Sequence, residues 1–185
     1  MRLFTAIELD DRVKDVLVRA RESLCRHDRV VRWVTRDQMH LTLVFLGDVP
    51  DDRMDDVCRA VQRAADRLSP FDIIVAGSGC FPPRGHVRVV WVGVEDQGGH
   101  LKGCHAACED ELEAIDFPRE SRPFSAHLTL GRVREDATNG ALRNDVEQLK
   151  VPSMTQHAES IHVIRSELTP HGARYVTVAS CGFEE

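Results

Sequence analysis

The chain contains the same four residues twice, as His40-Leu41-Thr42-Leu43 and as His127-Leu128-Thr129-Leu130. In each copy a polar residue alternates with leucine, which is the pattern of a strand with one buried and one exposed face. The histidine and the threonine of each copy therefore share one face of their strand. This repeat constrains the fold, because it predicts two similar units that each present one polar pair.

Histidine and threonine in this arrangement are suited to proton transfer at a phosphate. An imidazole with an ordinary pKa of roughly 6.5 can give or take a proton near neutral pH. A threonine hydroxyl can hydrogen-bond an anionic oxygen, so the pairs His40/Thr42 and His127/Thr129 could flank one phosphate. The alternative is that both copies are ordinary amphipathic strands whose histidines lie on a hydrated face.

The composition of the 185 residues is that of a globular protein, with 42% hydrophobic and 29% charged residues. The net charge of −6 argues against a protein that holds long duplex nucleic acid, and it leaves a local anion site open. Charge appears early in the chain and no apolar run approaches about 18 residues, so we expect a cytoplasmic protein without a membrane segment. The six cysteines are expected to be reduced thiols.

Hydrophobic periodicity and turn signals predict alternating strands and helices. The predicted strands are about 2–9, 30–34, 40–46, 71–75, 86–94, 126–133, 160–166 and 173–179. The predicted helices are about 10–26, 51–68, 98–115 and 139–149, and the Gly- and Pro-rich stretch 77–85 is predicted to be a turn. This order predicts an α+β fold with two pseudo-symmetric lobes, each a mainly antiparallel sheet flanked by helices. The active-site groove is expected between the lobes, and residues 1–185 are expected to form a single two-lobed domain.

Further short segments accompany the two motifs. They are Arg2-Leu3-Phe4, Val31-Arg32-Trp33-Val34, Phe45-Leu46-Gly47, Arg122-Pro123-Phe124, Gly131-Arg132-Val133 and Gly172-Ala173-Arg174-Tyr175. With these segments, nearly the whole chain resembles the 2H phosphoesterase superfamily, named for two His-x-Thr/Ser-x motifs. Within that superfamily it resembles the bacterial RNA 2′,3′-cyclic phosphodiesterases, also called 2′-5′ RNA ligases.

The resemblance implies an enzyme that opens a 2′,3′-cyclic phosphate at an RNA end to a 2′-phosphomonoester without a metal or other cofactor. Some members also join tRNA-like halves through a 2′-5′ linkage. By the same resemblance His40 is the proton donor and His127 the proton acceptor. Thr42 and Thr129 would bind non-bridging oxygens, and Arg132 would stabilise the charge of the transition state. Strict alternation puts Arg132 on the face opposite Thr129 unless a bulge at Gly131 changes its direction.

A second cluster of candidate ligands has a structural explanation. His100, Cys104, His105 and Cys108 have the spacing of metal ligands on a helix. The two cysteines are in register with the apolar stripe of that helix, which favours burial. We therefore predict no zinc site there.

Aromatic residues and lone histidines elsewhere give weaker signals. Trp33 and Phe45 lie near the first motif and could stack on a terminal base, but core packing is favoured. Five histidines lack the His-x-Thr context and are expected to be structural: His27, His86, His157, His162 and His171.

The expected partner is RNA with a 2′,3′-cyclic phosphate end, including tRNA fragments, and the expected state is a monomer. One alternative is a superfamily enzyme that acts on small cyclic nucleotides or 2′-5′ oligonucleotides, which substrate length would distinguish. The other is a non-catalytic RNA-end-binding module, which would bind without turnover. No Gly-x-x-x-x-Gly-Lys-Ser/Thr pattern is present, so ATP-dependent ligation is not predicted.

Overall fold

A computed structural model describes residues 1–170 and 172–184 of the chain. In this part of the chain the strands are β1 Arg2–Glu8, β2 Val31–Trp33, β3 His40–Asp48, β4 Phe71–Phe81, β5 Val89–Glu95, β6 His127–Val133, β7 Met154–Ala158, β8 Ser160–Thr169 and β9 Gly172–Gly182. The α-helices there are α1 Asp11–Glu22, α2 Met54–Ala65, α3 His100–Glu113 and α4 Ala141–Glu147. Both copies of the tetrapeptide begin a strand, as their alternation predicts.

The strands form two antiparallel sheets, which confirms the predicted α+β fold with two lobes. The first sheet has the order β3-β1-β8-β9, and the second has the order β2-β6-β5-β4-β7. The lobes are not the two halves of the sequence, because β8 and β9 return from the C-terminal half to the first sheet. Conversely, β2 belongs to the N-terminal half of the sequence but pairs with β6 in the second sheet. This exchange brings segments that are far apart in sequence to both motifs.

The helices bury the apolar stripes that their sequences predict. In α2 the buried residues are Val57, Ala60, Val61, Ala64 and Ala65. In α3 they include Leu101, Cys104, Cys108 and Leu112, so the prediction of burial for these two cysteines is confirmed. α2 packs against α3, and α3 packs against β3. The helices thereby cover the apolar side of the sheet that carries His40.

The prediction of a turn over 77–85 is wrong for its first five residues, which continue β4 to Phe81. The glycines there have structural roles in the strand. Gly77 has a φ of +70° next to a register shift between Val75 and Ser78. A Cβ at Gly79 would lie 2.3 Å from Cζ2 of Trp91, so only glycine leaves room for the indole ring.

β7 was not predicted, because its residues lack an apolar alternation. The two of its side chains that face inward are Gln156 and Ala158, which are 1% exposed in both cases. Gln156 Oε1 accepts a hydrogen bond from the backbone N–H of Asp10 at 2.8 Å. A buried amide that makes a hydrogen bond can take the place of an apolar side chain in a strand. Such a residue breaks the apolar alternation from which a strand is predicted.

The two motif strands, β3 and β6, carry bulges at the same place. In β3 the register with β1 passes from Thr42 to Val44, and in β6 the register with β5 passes from Thr129 to Gly131. One leucine in each strand, Leu43 or Leu130, is therefore an extra residue. Because of the extra residue, each side chain after the bulge lies on the sheet face opposite to the one that strict alternation gives it. Alternation from the histidine therefore holds only as far as the threonine.

The faces opposite the histidines form the centre of the core. Leu41, Leu43, Leu128 and Leu130 are all at most 2% exposed and belong to one continuous apolar cluster. Truncating such a leucine to alanine typically costs about 2 to 5 kcal/mol of the free energy of unfolding. Since β3 and β6 also approach each other, the core holds both polar pairs on rigid strands at the junction of the two sheets.

Candidate active site

The two motif histidines have matching hydrogen bonds. His40 Nδ1 lies 2.7 Å from the carbonyl oxygen of Gln38, and His127 Nδ1 lies 2.8 Å from the carbonyl oxygen of Ser125. A carbonyl oxygen only accepts, so Nδ1 carries the hydrogen in both rings. Nε2 is then the nitrogen of each ring that can exchange a proton with a bound molecule.

The carbonyl that orients His40 is itself held in place. Gln38 ends a short 3-10 turn, Arg36–Gln38, which begins with a capping box formed with Thr35. The side-chain Nε2 of Gln38 donates a hydrogen bond to the carbonyl oxygen of Ala173 in β9. The orientation of His40 therefore depends on a strand that lies far away in the sequence.

Burial makes both imidazoles poor bases in the free protein. It lowers the pKa of His40 to about 4, an effect that the Gln38 carbonyl opposes and the positive charge of Arg132 reinforces. Burial also lowers the pKa of His127 below its ordinary value, with the same contribution from Arg132. Both histidines are consequently neutral at pH 7 before an anion binds.

The two threonines lie on the same strand faces as the histidines. Thr42 and Thr129 are both half-buried, between fully buried leucines on either side. Neither hydroxyl makes a hydrogen bond to another residue in the part of the chain that the structure describes. Both are therefore free to donate to a ligand.

Arg132 also faces this site, because of the bulge in β6. Its side chain is exposed, while Gly131 and Val133 on either side are buried. Its charge adds to the effect of burial in lowering the pKa of His40 and of His127, and it opposes the burial that raises the pKa of Tyr175, so it lies near all three groups. The bulge that strict alternation required for Arg132 is thus present.

Aromatic rings enclose His40. The centroid of its imidazole lies 4.7 Å from that of Phe4 and 5.3 Å from that of Tyr175. Phe45 extends this cluster, with its ring 5.9 Å from Phe4. The prediction that Phe45 packs in the core is wrong, because the bulge turns it outward and leaves it 53% exposed. Trp33, in contrast, packs against the core as expected.

Two different rings lie beside His127. Phe81 meets its imidazole edge-on at 5.0 Å, and Trp91 lies 5.2 Å from Phe81. Trp91 Nε1 is buried without a hydrogen-bond partner among the described residues. Sequence reasoning missed these rings, as well as Phe4 and Tyr175. The available signals were that Phe4 and Tyr175 lie in segments that resemble the family, and that Tyr175 is the one tyrosine of the chain.

The other candidate histidines and cysteines make no hydrogen bond, ion pair or ring contact with His40, Thr42, His127 or Thr129 among the described residues. His100 bonds Asp96, and His105 stacks on Phe124 at 4.4 Å. Within residues 1–170 and 172–184, no group of three or more His, Cys, Asp or Glu side chains is placed to hold a metal ion. The lone histidines His27, His86, His157 and His162 each bond a neighbouring protein group, and His171 lies outside the described residues.

Comparison with known families identifies this arrangement. A family model described as LigT like Phosphoesterase matches the chain over residues 7–91 and over residues 92–175, and each match contains one His-x-Thr motif. The chain belongs to the LigT-like phosphoesterase family. The superfamily recognised from the motifs and their flanking segments is thereby confirmed, as is the prediction of an enzyme.

Individual members of the LigT-like family match along the whole chain. The RNA 2′,3′-cyclic phosphodiesterase of Methanothermobacter thermautotrophicus is 31% identical over 178 residues, covering 95% of both chains. The solved structure of a Thermus thermophilus protein superposes with a TM-score of 0.78 at 31% identity, covering 99% of this chain and 98% of that one. Escherichia coli LigT in complex with 3′-AMP, at 21% identity, shares the fold with a TM-score of 0.77 and coverage of 100% and 98%.

The helices of this LigT-like chain are too short or too polar to cross a membrane, as far as residues 1–170 and 172–184 are concerned.

Proposed function

We propose that this LigT-like phosphoesterase is an RNA 2′,3′-cyclic phosphodiesterase that forms a 2′-phosphomonoester by acid-base catalysis between His40 and His127, without a metal. One observation carries the proposal. Both histidines have Nδ1 fixed by a backbone carbonyl and Nε2 available, and both lie near the charge of Arg132. The full-length relatives named RNA 2′,3′-cyclic phosphodiesterase support the choice of substrate.

The reaction needs one proton acceptor and one proton donor on opposite sides of phosphorus. His127 Nε2 takes a proton from water as the water oxygen bonds to phosphorus. His40 Nε2 gives a proton to the 3′-oxygen as the bond from phosphorus to that oxygen breaks. The product keeps its phosphate on the 2′-oxygen. The two histidines end the step with exchanged protonation states, and solvent restores them.

The depressed pKa of His40 sets a condition on this assignment. A general acid must carry a proton, and free His40 is neutral at pH 7. A cyclic phosphate diester is an anion, and an anion beside an imidazole favours the charged form. We infer that His40 gains its proton together with the substrate. His127 needs no such change, because a general base acts in its neutral form.

The remaining polar groups bind the phosphate oxygens. Thr42 and Thr129 donate their unpaired hydroxyl hydrogens to the two non-bridging oxygens. Arg132, which has no ion pair among the described residues, stabilises the negative charge that accumulates as the water attacks. Exposed Phe45 and half-buried Tyr175, which both pack on the buried ring of Phe4, offer the terminal nucleoside a stacking surface on the His40 side.

The same pair of histidines would also support ligation, in which an RNA 5′-hydroxyl takes the place of water. His127 then accepts the proton of the attacking 5′-hydroxyl and His40 donates a proton to the departing 3′-oxygen, so that a 2′-5′ phosphodiester forms as the bond from phosphorus to the 3′-oxygen breaks. An RNA 5′-hydroxyl and a 2′,3′-cyclic end, such as two tRNA fragments, would supply the substrates. Whether the protein hydrolyses or ligates then depends on whether water or a 5′-hydroxyl lies beside His127.

A product assay tests the proposal. The protein is incubated with an RNA oligonucleotide ending in a 2′,3′-cyclic phosphate, in the presence of a metal chelator, and the product is compared with 2′- and 3′-phosphate standards. We expect complete conversion to the 2′-phosphate at an unchanged rate with chelator. A 3′-phosphate product, no conversion, or loss of activity on chelation would contradict the proposal.

A further inference from the structure

The edge strand β2 places a second arginine directly beside Arg132. In the register between β2 and β6, Arg32 is the partner of Arg132, so the two side chains extend from the same face of the sheet. Both are exposed, and neither has a hydrogen bond or an ion pair within the described residues. Like charges directly opposite each other on neighbouring strands are destabilising. An anion bound between the two guanidinium groups would offset this repulsion.

The surroundings of this pair are basic. An open groove of about 540 Å³ is lined by Arg29, Arg32, Arg132 and Arg134, and by Asp28 and Glu135 as the acidic residues. Asp28 is already engaged, since its Oδ1 accepts a hydrogen bond from Trp33 Nε1 at 2.6 Å. Four guanidinium groups thus line the groove with two carboxylates, which leaves an excess of positive charge. Arg132 is the residue that the groove shares with the candidate site, and neither motif histidine lines it.

The guanidinium of Arg32 reaches across to the other sheet. A Cβ at Gly172, the first residue of β9, would lie 2.8 Å from Arg32 Nη2. β9 also carries Tyr175 of the aromatic cluster. Arg32 is therefore located where the two sheets meet, next to the phosphate site and not on a remote surface.

We propose that Arg32, with Arg134 beside it, binds a second phosphate of the substrate. This inference rests on the proposed function. A 2′,3′-cyclic phosphate closes the 3′ end of an RNA, so any further phosphate must lie on the 5′ side of the terminal nucleotide. The substrate is then an oligonucleotide with at least one internal phosphodiester, in preference to a nucleoside 2′,3′-cyclic monophosphate.

Three small substrates test this subsite. They are adenosine 2′,3′-cyclic monophosphate, the dinucleotide with the same cyclic end, and that dinucleotide with an uncharged methylphosphonate linkage. For the wild type we expect kcat/KM on the charged dinucleotide to exceed the other two by on the order of tenfold, the effect of one charged hydrogen bond. Arg32→Ala should remove this advantage through KM and leave the mononucleotide unaffected. Arg32→Lys should keep part of it.

Arg59→Ala is the matched control, because it removes the same charge from the exposed side of α2, where Arg59 pairs with Asp56. It should behave as the wild type on all three substrates. Equal loss on all three substrates in Arg32→Ala, or no loss on any of them, would overturn the subsite and leave the proposed function standing. A wild type that opens none of the substrates would overturn both proposals.

Discussion

The two motif strands share the same backbone course but present different side chains to the candidate site. β3 and β6 each begin with histidine, continue through threonine, and bulge at the second leucine. The first residue that the bulge turns outward is Phe45 in β3 and Arg132 in β6. On the proposed function, the comparison teaches that the repeat supplies the proton-transfer groups twice, while the position after the bulge adds an aromatic ring for the nucleoside in one lobe and a positive charge for the phosphate in the other.

The strands next to the motifs reinforce this division. Beside β3, strands β1 and β9 bring Phe4 and Tyr175 against His40. Beside β6, strand β2 brings Arg32 next to Arg132. The enclosed His40 has a pKa of about 4, and burial also lowers the pKa of His127. The two histidines are equivalent in geometry and differ in their neighbours.

The largest expected effect is common to both lobes. His40→Ala and His127→Ala should each lower kcat by about 10²- to 10⁴-fold, which is the usual contribution of one acid or base. Both side chains are only half-buried, so the variants should stay folded by circular dichroism. His157→Ala, at an exposed position of β7, is the matched control. If either motif variant kept most of its turnover, the two strands would not share the chemistry.

The next effect separates the positions after the bulges. Arg132→Ala should lower kcat by about 10²-fold, because its charge acts on the transition state. Arg132→Lys should recover only part of that loss, since an ammonium lacks the planar fork. Steady-state kinetics on a cyclic-phosphate RNA measures both variants. A change in KM alone would show that Arg132 binds the substrate without stabilising the transition state. The two lobes would then not differ in their contribution to catalysis.

Phe45→Ala is expected to act on KM. Loss of a stacked base should raise KM by about tenfold and leave kcat nearly unchanged. Phe45→Leu keeps apolar bulk without the ring, and it should resemble the alanine variant if stacking is the cause. A normal KM in both variants would show that this lobe does not bind the nucleoside through Phe45.

The smallest effects should be equal in the two lobes. Thr42→Val and Thr129→Val remove one hydroxyl without changing the shape, and each should lower kcat/KM by about fivefold. Thr155→Val, at an exposed position of β7, is the control. A large effect from one threonine alone would mean that the phosphate is bound by a single lobe.

Much of this site follows from the sequence, because strand alternation is a local property. The period of two places His40 and Thr42 together, and the apolar stripe assigns Cys104 and Cys108 to the core. The recognised family segments also contain Arg32, Phe45 and Tyr175. The roles of these three residues could not be predicted, because the resemblance of a segment to a family does not show which way its side chains face.

Pairing between distant strands could not be predicted. The exchange of β2 into the second sheet depends on contacts between residues about a hundred positions apart, and no local pattern encodes it. The bulge in β3 was equally hidden, and the bulge in β6 could be named only as the condition for Arg132 to face the site, because both motifs continue with residues that suit either register. The bulges determine the directions of Phe45 and Arg132, and the exchange brings Arg32 beside Arg132, so both features contribute to the difference between the lobes.

The pH dependence of kcat/KM for the wild type and both histidine variants tests the central claim most directly. Since burial lowers both pKa values, the wild-type profile should be a bell with its maximum below about pH 6.5. A base must be neutral and an acid must be protonated, so His127→Ala should lose the acidic limb and His40→Ala the basic limb. A flat wild-type profile from about pH 5 to 9, or both limbs intact in either variant, would contradict catalysis by this pair.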